Sequence, residues 1–276
     1  MSARARSAGE SDRGRPDGLP AGPSSERTLR LTVLGCSGSV PGPDGPASAY
    51  LVEHDGFRLL LDLGNGAFGA LQRHLDPAEV DAVVLSHLHP DHCLDLCPYV
   101  VFRRYAGEGP LRRIPVLGPA GTHYRIAAAY DPAARSGLRD LFDFTTVAPG
   151  ERELGPFRLR FQRVNHPVET HAVRVEAGGR VLTYSGDTGV SDALVRLAAG
   201  SDLLLCEASF PDGEPYPPNL HLSGRAAGEH AAKAGVGRLL VTHVPPWTDR
   251  VRIGAEAAAA FPGPSELAAP DASYEV

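Results

Sequence analysis

Residues Val83–Leu96 have the sequence VVLSHLHPDHCLDL, in which an apolar run is followed by three histidines and an aspartate. The apolar run predicts a buried strand, after which the chain turns helical. Alternate side chains of an extended segment point the same way, so His87 and His89 can reach the same bound ion. Asp91 and His92 follow within reach of a second ion position. Imidazole and carboxylate groups suit zinc, manganese or iron, and four of them at a strand end are costly to leave unpaired. The stretch therefore predicts a metal site.

Length and composition fit one large soluble domain. The chain has 276 residues, of which 42% are hydrophobic and 22% charged, which is enough for a substantial core. No apolar run approaches membrane-spanning length, so no membrane partner is expected. Residues 1–27 are rich in Ser, Gly, Pro and Arg and predict a disordered tail before a single domain over residues 28–276. This tail lacks the apolar segment of a secretory signal, and a cytoplasmic location is the default expectation.

Charge and cysteine content narrow the function classes. The formal net charge of -6 argues against a broad cationic surface for nucleic acid. The four cysteines form no C-x-x-C pair and lie in apolar settings, so we expect small buried hydrophobic side chains in a reducing compartment. Thiolate ligation of a metal is the weaker alternative. The cysteines are Cys36, Cys93, Cys97 and Cys206.

The order of predicted elements indicates the fold class. Strands are predicted over Leu29–Leu34 and, as a hairpin around an Asp-Gly turn, over Ala49–Glu53 and Phe57–Leu61. A run of short strands from Phe142 to Tyr184 predicts a second, antiparallel-rich sheet, and each run of strands is followed by helices. An α/β fold in four layers, an αββα sandwich with helices outside two facing sheets, accommodates this order.

The metal stretch is expected to continue as one helix over Cys93–Tyr105, with Arg103 and Arg104 in solvent at its end. Asp62 ends the hairpin, where its carboxylate can support the metal site from behind the ligands or cap the next helix. Four further histidines are interpreted as turn, surface or packing residues, with His123 at a surface or pocket rim. These histidines are His54, His74, His123 and His230.

The loop over Gly35–Ser48, GCSGSVPGPDGPAS, follows the first strand and is rich in glycine and proline. Ser37 and Gly38 can present backbone N–H groups to an anion there, although a plain connecting loop is equally compatible. The loop contains neither a P-loop lysine nor a G-x-G-x-x-G pattern, so nucleotide binding of those types is not supported.

Three more histidine or aspartate side chains, the types that bind metals, follow the ends of later predicted strands. His166 lies in NHPVE, Asp187 in YSGDTG and His243 in THVPP. With the four groups of the first stretch they make seven strand-end groups, which is enough for two metals.

Together these motifs resemble the metallo-β-lactamase superfamily, in the phosphodiesterase branch that includes ribonuclease Z. The segments GCSGSVPGPDGPASAYLVE, LLLDLGNGA, SHLHPDHCLDL, YSGDTG and LCEASF resemble more closely the atypical class II cyclic-nucleotide phosphodiesterases of mycobacteria and their relatives. The likeness extends from Leu29 to the C-terminus. It implies the metallo-β-lactamase fold for this span.

The resemblance implies two divalent metal ions, with zinc first and manganese or iron as alternatives. One metal would be held by three histidines and the other by Asp91 and two histidines, with Asp187 bridging them. A hydroxide shared by the metals would be the nucleophile, and Asp91 would also aim it. The ligand sets implied are His87, His89 and His166 for the first metal, and Asp91, His92 and His243 for the second.

The resemblance also assigns roles outside the metal ligands. Relatives of ribonuclease Z use a glutamate and a histidine to assist the leaving group, and the matching positions are Glu207 and His221. A carboxylate can keep such a histidine protonated, so that it acts as a general acid. The alternative for Glu207 is a cap of a helix or loop, and the alternative for His221 is a residue at a helix start. His171, five positions after His166, is a candidate substrate contact, as are Ser37 and Gly38.

Hydrolysis of a small phosphodiester, 3′,5′-cyclic AMP above others, is the expected function. Ribonuclease Z carries a tRNA-gripping arm between the residues that match His166 and Asp187, whereas here these residues are only 21 positions apart. The missing arm and the acidic charge make tRNA processing the second alternative. A thioester or lactone hydrolase of the superfamily is a third, and a non-catalytic binding module would have lost ligands. A homodimer is compatible with the resemblance.

Overall fold

The computed structural model describes residues 28–131, 133 and 138–276. The predicted N-terminal tail, residues 1–27, lies outside the described residues. The strands are β1 Arg30–Gly35, β2 Ala49–His54, β3 Phe57–Leu61, β4 Ala82–Val84, β5 Ile114–Gly118, β6 Phe142–Thr146, β7 Gly150–Leu154, β8 Phe157–Arg163, β9 His171–Ala177, β10 Arg180–Tyr184, β11 Leu203–Glu207, β12 Arg238–Thr242, β13 Ser265–Leu267 and β14 Ser273–Glu275. The helices are α1 Ala67–Leu71, α2 Pro90–Cys93, α3 Leu96–Tyr105, α4 Thr122–Tyr130, α5 Asp192–Ala198, α6 Gly224–Ala234 and α7 Arg250–Ala260.

The strands form two seven-stranded mixed sheets. The first has the order β14-β1-β2-β3-β4-β5-β6, and the second has the order β13-β12-β11-β10-β9-β8-β7. Strands β3 to β6 run parallel in the first sheet, and β10 to β13 run parallel in the second. Because the carboxyl ends of parallel strands meet at one edge, each sheet gathers the residues that follow its strands.

Three apolar layers hold the sandwich together. The central layer joins inward-facing residues of both sheets, for example Val33 and Tyr50 from one and Val173 and Leu205 from the other. The residues between them along each strand face outward. Those of the first sheet, such as Leu51, form a layer with α1, α3 and α4, and those of the second sheet form a layer with α5, α6 and α7. Strands with both faces covered are buried along their whole length, as β11 is. The predicted four-layered αββα sandwich is confirmed.

Several predicted elements agree with the structure, and some do not. The hairpin of β2 and β3 is confirmed. The grouping of strands was wrong for β6, which pairs in parallel with β5 in the first sheet. The short strands β13 and β14 were not predicted. They pair with β12 and β1, and β14 completes an edge of the first sheet.

The helix predicted over Cys93–Tyr105 is in fact two helices, α2 and α3. They are separated at Asp95, whose carboxylate accepts a hydrogen bond from the Phe68 N–H at 2.8 Å. The predicted solvent position of Arg103 was wrong, because its side chain is fully buried. The guanidinium donates to Tyr99 Oη at 2.8 Å and to the Arg112 carbonyl, and it lies over the Tyr99 ring, so α3 rotates Arg103 into the core.

Within the described ranges, none of the four histidines interpreted as turn, surface or packing residues belongs to a metal-ligand group. His74 follows the end of α1 and contacts Asp271 at 2.7 Å, and His54 is half-buried at the end of β2. His123 was expected at the surface or at a pocket rim; its side chain is buried, with neither ring nitrogen hydrogen-bonded, and it lines a pocket beside Tyr124 and Phe144. His230 packs as expected and bridges two backbone groups. None of the helices in the described ranges has the length and apolar character needed to cross a membrane.

Candidate metal centre

The seven predicted ligands converge on one edge of the sandwich. His87 and His89 follow β4, and Asp91 and His92 occupy the first turn of α2, which Pro90 begins. The remaining three residues follow strands of the second sheet. They are His166 after β8, Asp187 after β10 and His243 after β12.

The side chains form two ligand groups that share Asp187. Within each group the nearest ligand atoms all lie within 4.8 Å of one another. The first ligand group comprises His87, His89, His166 and Asp187, and the second comprises Asp91, His92, Asp187 and His243. Histidine and aspartate side chains are thus clustered for a dinuclear metal site, in the two sets that the sequence resemblance implied.

Hydrogen bonds behind the histidines leave their inner nitrogens free to bind a cation. His166 donates through Nδ1 to the Leu220 carbonyl at 2.8 Å, and His92 donates through Nδ1 to Asp62 Oδ2 at 2.8 Å. Because a neutral imidazole carries one proton, their Nε2 atoms keep a lone pair. The Nε2 atoms of His92 and His243 face each other at 3.2 Å, an arrangement that suits a shared cation.

Asp62 is the support behind the first sheet's histidines. Its carboxylate accepts from the Ser86 N–H at 2.6 Å, from Ser86 Oγ at 2.7 Å and from Tyr184 Oη at 2.7 Å, in addition to His92. Ser86 Oγ therefore has a lone pair for His87 Nδ1, 3.0 Å away. The predicted support of the metal site by Asp62 is confirmed, whereas the helix-capping alternative is wrong because Gly66 occupies the cap of α1.

A second support orients His243. Ser209 Oγ lies 3.0 Å from His243 Nδ1, and the Ser39 N–H points at Nε2 from 3.3 Å. His243 and Asp62 both have positive backbone angles, with φ of 57° and 59°. Non-glycine residues rarely adopt this conformation, and it clusters at functional sites, where surrounding structure holds it in place.

The electrostatics of the site favour a bound cation. Although burial favours its neutral form, His243 and His92 hold the pKa of Asp187 well below its ordinary value. Burial opposes protonation of His92 too, but Asp187 and Asp62 raise its pKa well above the ordinary value. The Oδ1 atom of Asp187 is buried and has no hydrogen bond. A buried carboxylate oxygen that has no hydrogen bond and is surrounded by imidazole rings fits a divalent metal.

A glutamate–histidine pair stands beside the ligands. Glu207 ends β11 and is fully buried, and its Oε1 atom lies 2.9 Å from His221 Nδ1. Although burial opposes the charged ring, Glu207 raises the pKa of His221 to about 9. The His221 ring centroid lies 5.5 Å from that of His166 and 5.2 Å from that of His243. A proton on His221 is therefore placed next to both ligand groups.

Comparison with known proteins identifies the family. Residues 57–244 match the pattern of the Beta-lactamase superfamily domain. The chain belongs to this superfamily. The uncharacterized protein Rv1339 of Mycobacterium tuberculosis is 47% identical over 254 residues, which cover 90% of this chain and 93% of the relative. Ribonuclease Z of Mycobacterium bovis is 30% identical over 248 residues, covering 79% of this chain and 86% of the enzyme.

Solved structures agree with this family. The metallo-β-lactamase fold protein YhfI of Bacillus subtilis, a probable metallo-hydrolase, superimposes with a TM-score of 0.80 at 26% identity, covering 90% of this chain and all of that chain. Human tRNase Z, short form, has a TM-score of 0.72 at 20% identity and covers 90% of this chain and 99% of its own. The latter likeness shows the fold alone. Family and ligand clustering together make this chain a metallo-hydrolase of the β-lactamase superfamily.

Two glycines allow the close packing that this metallo-hydrolase uses at its site. A Cβ atom on Gly64 would overlap the Asp91 carbonyl oxygen, and one on Gly38 would overlap the His243 carbonyl oxygen. Gly38 thus brings the loop after β1 against the second ligand group. Ser37 is buried beside it and pairs with Val244. A substrate contact for Ser37 and Gly38 stays a prediction.

His171 begins β9 and is 1% exposed, and its backbone N–H donates to the Ser86 carbonyl at 3.0 Å. A substrate contact for His171 stays a prediction. All four cysteines are free thiols, and none belongs to a metal-ligand group among the described residues. Cys36, Cys93 and Cys206 are buried and Cys97 is half-buried, close to the predicted setting.

Sequence reasoning missed the supporting residues Ser86, Ser209 and Tyr184. Ser86 directly precedes His87, and Tyr184 begins the YSGDTG motif, so their proximity to ligands along the chain was a usable signal. Ser209 gave no such signal, because it meets His243 only through the pairing of β11 with β12.

Proposed function

We propose that this metallo-hydrolase is a phosphodiesterase that cleaves a small phosphodiester, with 3′,5′-cyclic AMP as the preferred substrate. The observation that carries the proposal is the Glu207–His221 pair, held at 2.9 Å beside both ligand groups. Cleaving a phosphodiester expels an alkoxide that needs a proton, whereas a thiolate leaving group does not. A protonated histidine next to the reacting centre therefore supports phosphoester chemistry over thioester chemistry.

The ligand groups would hold two divalent cations, zinc first and manganese or iron as alternatives. His87, His89 and His166 would bind one cation, Asp91, His92 and His243 the other, and Asp187 would bridge them. Such a pair supplies an activated water and neutralises the charge of the phosphoryl oxygens.

The protein's own residues would orient the attacking water and protonate the leaving oxygen. Asp91, whose Oδ2 atom lies 3.2 Å from His243 Nε2, has a second oxygen that can accept a hydrogen bond from the attacking water. His221 would deliver the proton on Nε2 to the leaving oxygen. Glu207 fixes the opposite nitrogen, and its other oxygen, Oε2, accepts from the Leu222 N–H at 3.3 Å, so the pair keeps one orientation.

The surroundings of the site favour a small substrate. The chain between His166 and Asp187 is occupied by β9, a turn and β10, without room for a long inserted arm. The net charge of -6 does not provide the basic track that a tRNA requires. The likeness to ribonuclease Z of M. bovis nevertheless supports tRNA 3′-end processing as the second candidate.

A panel of substrates tests the proposal. The metal-loaded protein is given cyclic AMP, bis(p-nitrophenyl) phosphate, a precursor tRNA and an acyl thioester at equal enzyme concentration. We expect the two small phosphodiesters to be hydrolysed fastest, and the double variant His87→Ala/His89→Ala to be inactive. Faster cleavage of the precursor tRNA would favour the second candidate. Thioester cleavage without phosphodiester turnover would overturn the proposal.

A further inference from the structure

Exposed apolar side chains concentrate around the metal centre. Among the described residues nine large apolar side chains are exposed, and five of them stand on loops that also carry site residues. Exposed apolar groups that gather at one place, instead of scattering singly, mark a binding surface. These five residues, the apolar rim, are Val40, Val168, Val190, Tyr216 and Trp247.

Short contacts tie two rim residues to the site. Val190 lies three residues after Asp187, and its carbonyl accepts from Asn165 Nδ2 at 2.6 Å, next to His166. Val40 follows Ser39, whose N–H points at His243. The rim therefore borders both ligand groups.

Tyr216 belongs to a series of stacked rings that leads into the site. Its ring is stacked on Phe210 at 4.6 Å with an interplanar angle of 16°, and Phe210 meets the His221 ring edge-on at 5.4 Å. An aromatic wall therefore extends from the proton donor to the rim.

Trp247 is the largest exposed side chain of the rim. It is 69% exposed, although tryptophan is usually well buried. Its loop is fixed, because the Thr248 N–H donates to the Pro245 carbonyl at 2.9 Å and Thr248 Oγ1 donates to the Ser209 carbonyl at 3.3 Å. Ser209 is the residue that orients His243, so the loop that carries Trp247 is anchored beside the second ligand group.

We infer that Trp247 and the apolar rim bind the nucleobase of the substrate, so that the enzyme selects nucleoside phosphodiesters over aliphatic ones. The inference rests on the proposed phosphodiesterase function and adds the side chains that bind the base and thereby set the selectivity. A polar, cation-binding centre bordered by exposed aromatic and aliphatic side chains matches a molecule with an anionic end and a flat apolar end. Bases stack on aromatic side chains with little regard to sequence, and a nucleobase offers such a face.

Fluorescence tests the contact directly, because Trp247 is the only tryptophan in the chain. The metal-loaded protein is titrated with adenosine 5′-monophosphate and, as the matched control, with ribose 5-phosphate, which lacks the base. Binding of each ligand is measured independently through inhibition of bis(p-nitrophenyl) phosphate hydrolysis. We expect saturable quenching of the tryptophan emission by the nucleotide and no quenching by the sugar phosphate. Inhibition of hydrolysis by the nucleotide without any change in tryptophan emission would overturn the inference.

A pair of substrates with one leaving group tests selectivity. Thymidine 5′-(p-nitrophenyl) phosphate and methyl p-nitrophenyl phosphate both release p-nitrophenolate and differ in the nucleoside. We expect Trp247→Ala to lower the ratio of their kcat/KM values by about fivefold or more through KM, and Trp247→Phe to restore most of it. Tyr105→Ala removes an equally exposed aromatic ring at the end of α3 and should leave the ratio unchanged.

The two proposals fail in different ways. If wild-type protein hydrolyses neither substrate, the phosphodiesterase function is wrong. If it hydrolyses both and Trp247→Ala leaves their ratio unchanged, the phosphodiesterase function stands and the assignment of the rim to a base is wrong.

Discussion

His221 Nδ1 lies 2.9 Å from Glu207 Oε1, and the same imidazole ring stands 5.2 Å from that of His243, measured between centroids. The buried carboxylate thereby holds the proposed proton donor close to both ligand groups. Neither residue belongs to the seven clustered ligands of the dinuclear site. Because neither residue is one of those seven ligands, the proposed proton donor can be substituted while every proposed ligand is kept.

The nature of the leaving group should therefore determine the effect of His221→Ala. Cyclic AMP expels an alkoxide that needs a proton, and its turnover should fall by about 10²- to 10⁴-fold. The p-nitrophenolate of bis(p-nitrophenyl) phosphate leaves unprotonated, so that substrate should lose far less. Steady-state kinetics with both substrates, together with metal analysis of the variant, checks this. Equal losses on the two substrates, or loss of the metals, would assign His221 a structural role.

Asp62→Asn should weaken metal binding although Asp62 is not in either ligand group. The change removes the negative charge that accepts from His92, Ser86 and Tyr184. Because residues behind the ligands fix their orientation and basicity, metal affinity should fall by about 10- to 100-fold. Metal titration monitored by calorimetry measures the change. Asp140→Asn, at an exposed carboxylate that contacts Arg104, is the matched control and should bind metal like the wild type.

The sequence predicted the site better than it predicted the elements around it. A histidine that follows a strand within three residues, such as His87 or His243, has its position fixed by chain connectivity, so motif and geometry agree. Arg103 shows the opposite case, because a charged residue near a helix end is usually solvated and only the packing of Tyr99 and Phe142 reveals its burial. The strand β14 has three residues and little apolar pattern, and it exists through its pairing with β1.

Protonation of His230 should make the protein less stable in acid. Nε2 of this buried ring accepts from the Ser191 N–H at 3.0 Å, while Nδ1 donates to the Ala226 carbonyl at 2.7 Å. The neutral ring is thus the one that fits, and burial lowers the pKa of His230 below its ordinary value. His230 therefore binds a proton more readily in the unfolded chain than in the folded protein. The stability that its neutral, hydrogen-bonded ring contributes is present above about pH 6.5 and is lost as the pH falls.

The His230→Ala variant isolates that contribution from those of the other histidines. At pH 8 it should be less stable than the wild type by about 1–2 kcal/mol, because two buried hydrogen bonds are lost. At pH 5.5 the difference should shrink, since only the wild type must keep His230 neutral. Urea unfolding of both proteins at the two pH values measures it. A difference that does not change with pH would contradict the argument.

A pair of glycines tests whether close backbone packing holds the second ligand group in place. Gly64→Ala would drive a Cβ atom into the Asp91 carbonyl, so α2 must shift, at a cost of about 1–3 kcal/mol in stability and with weaker metal binding. Gly69→Ala lies in α1, where a Cβ atom would meet nothing within 4 Å. This second substitution should stabilise the fold by up to about 1 kcal/mol and leave metal binding unchanged. Thermal unfolding should therefore show a lower unfolding temperature for Gly64→Ala and a higher one for Gly69→Ala. Metal titration should show weaker binding for Gly64→Ala alone. Equal metal affinity in both variants would mean that α2 tolerates the displacement and that Asp91 is positioned by its contacts with His92 and His243 instead.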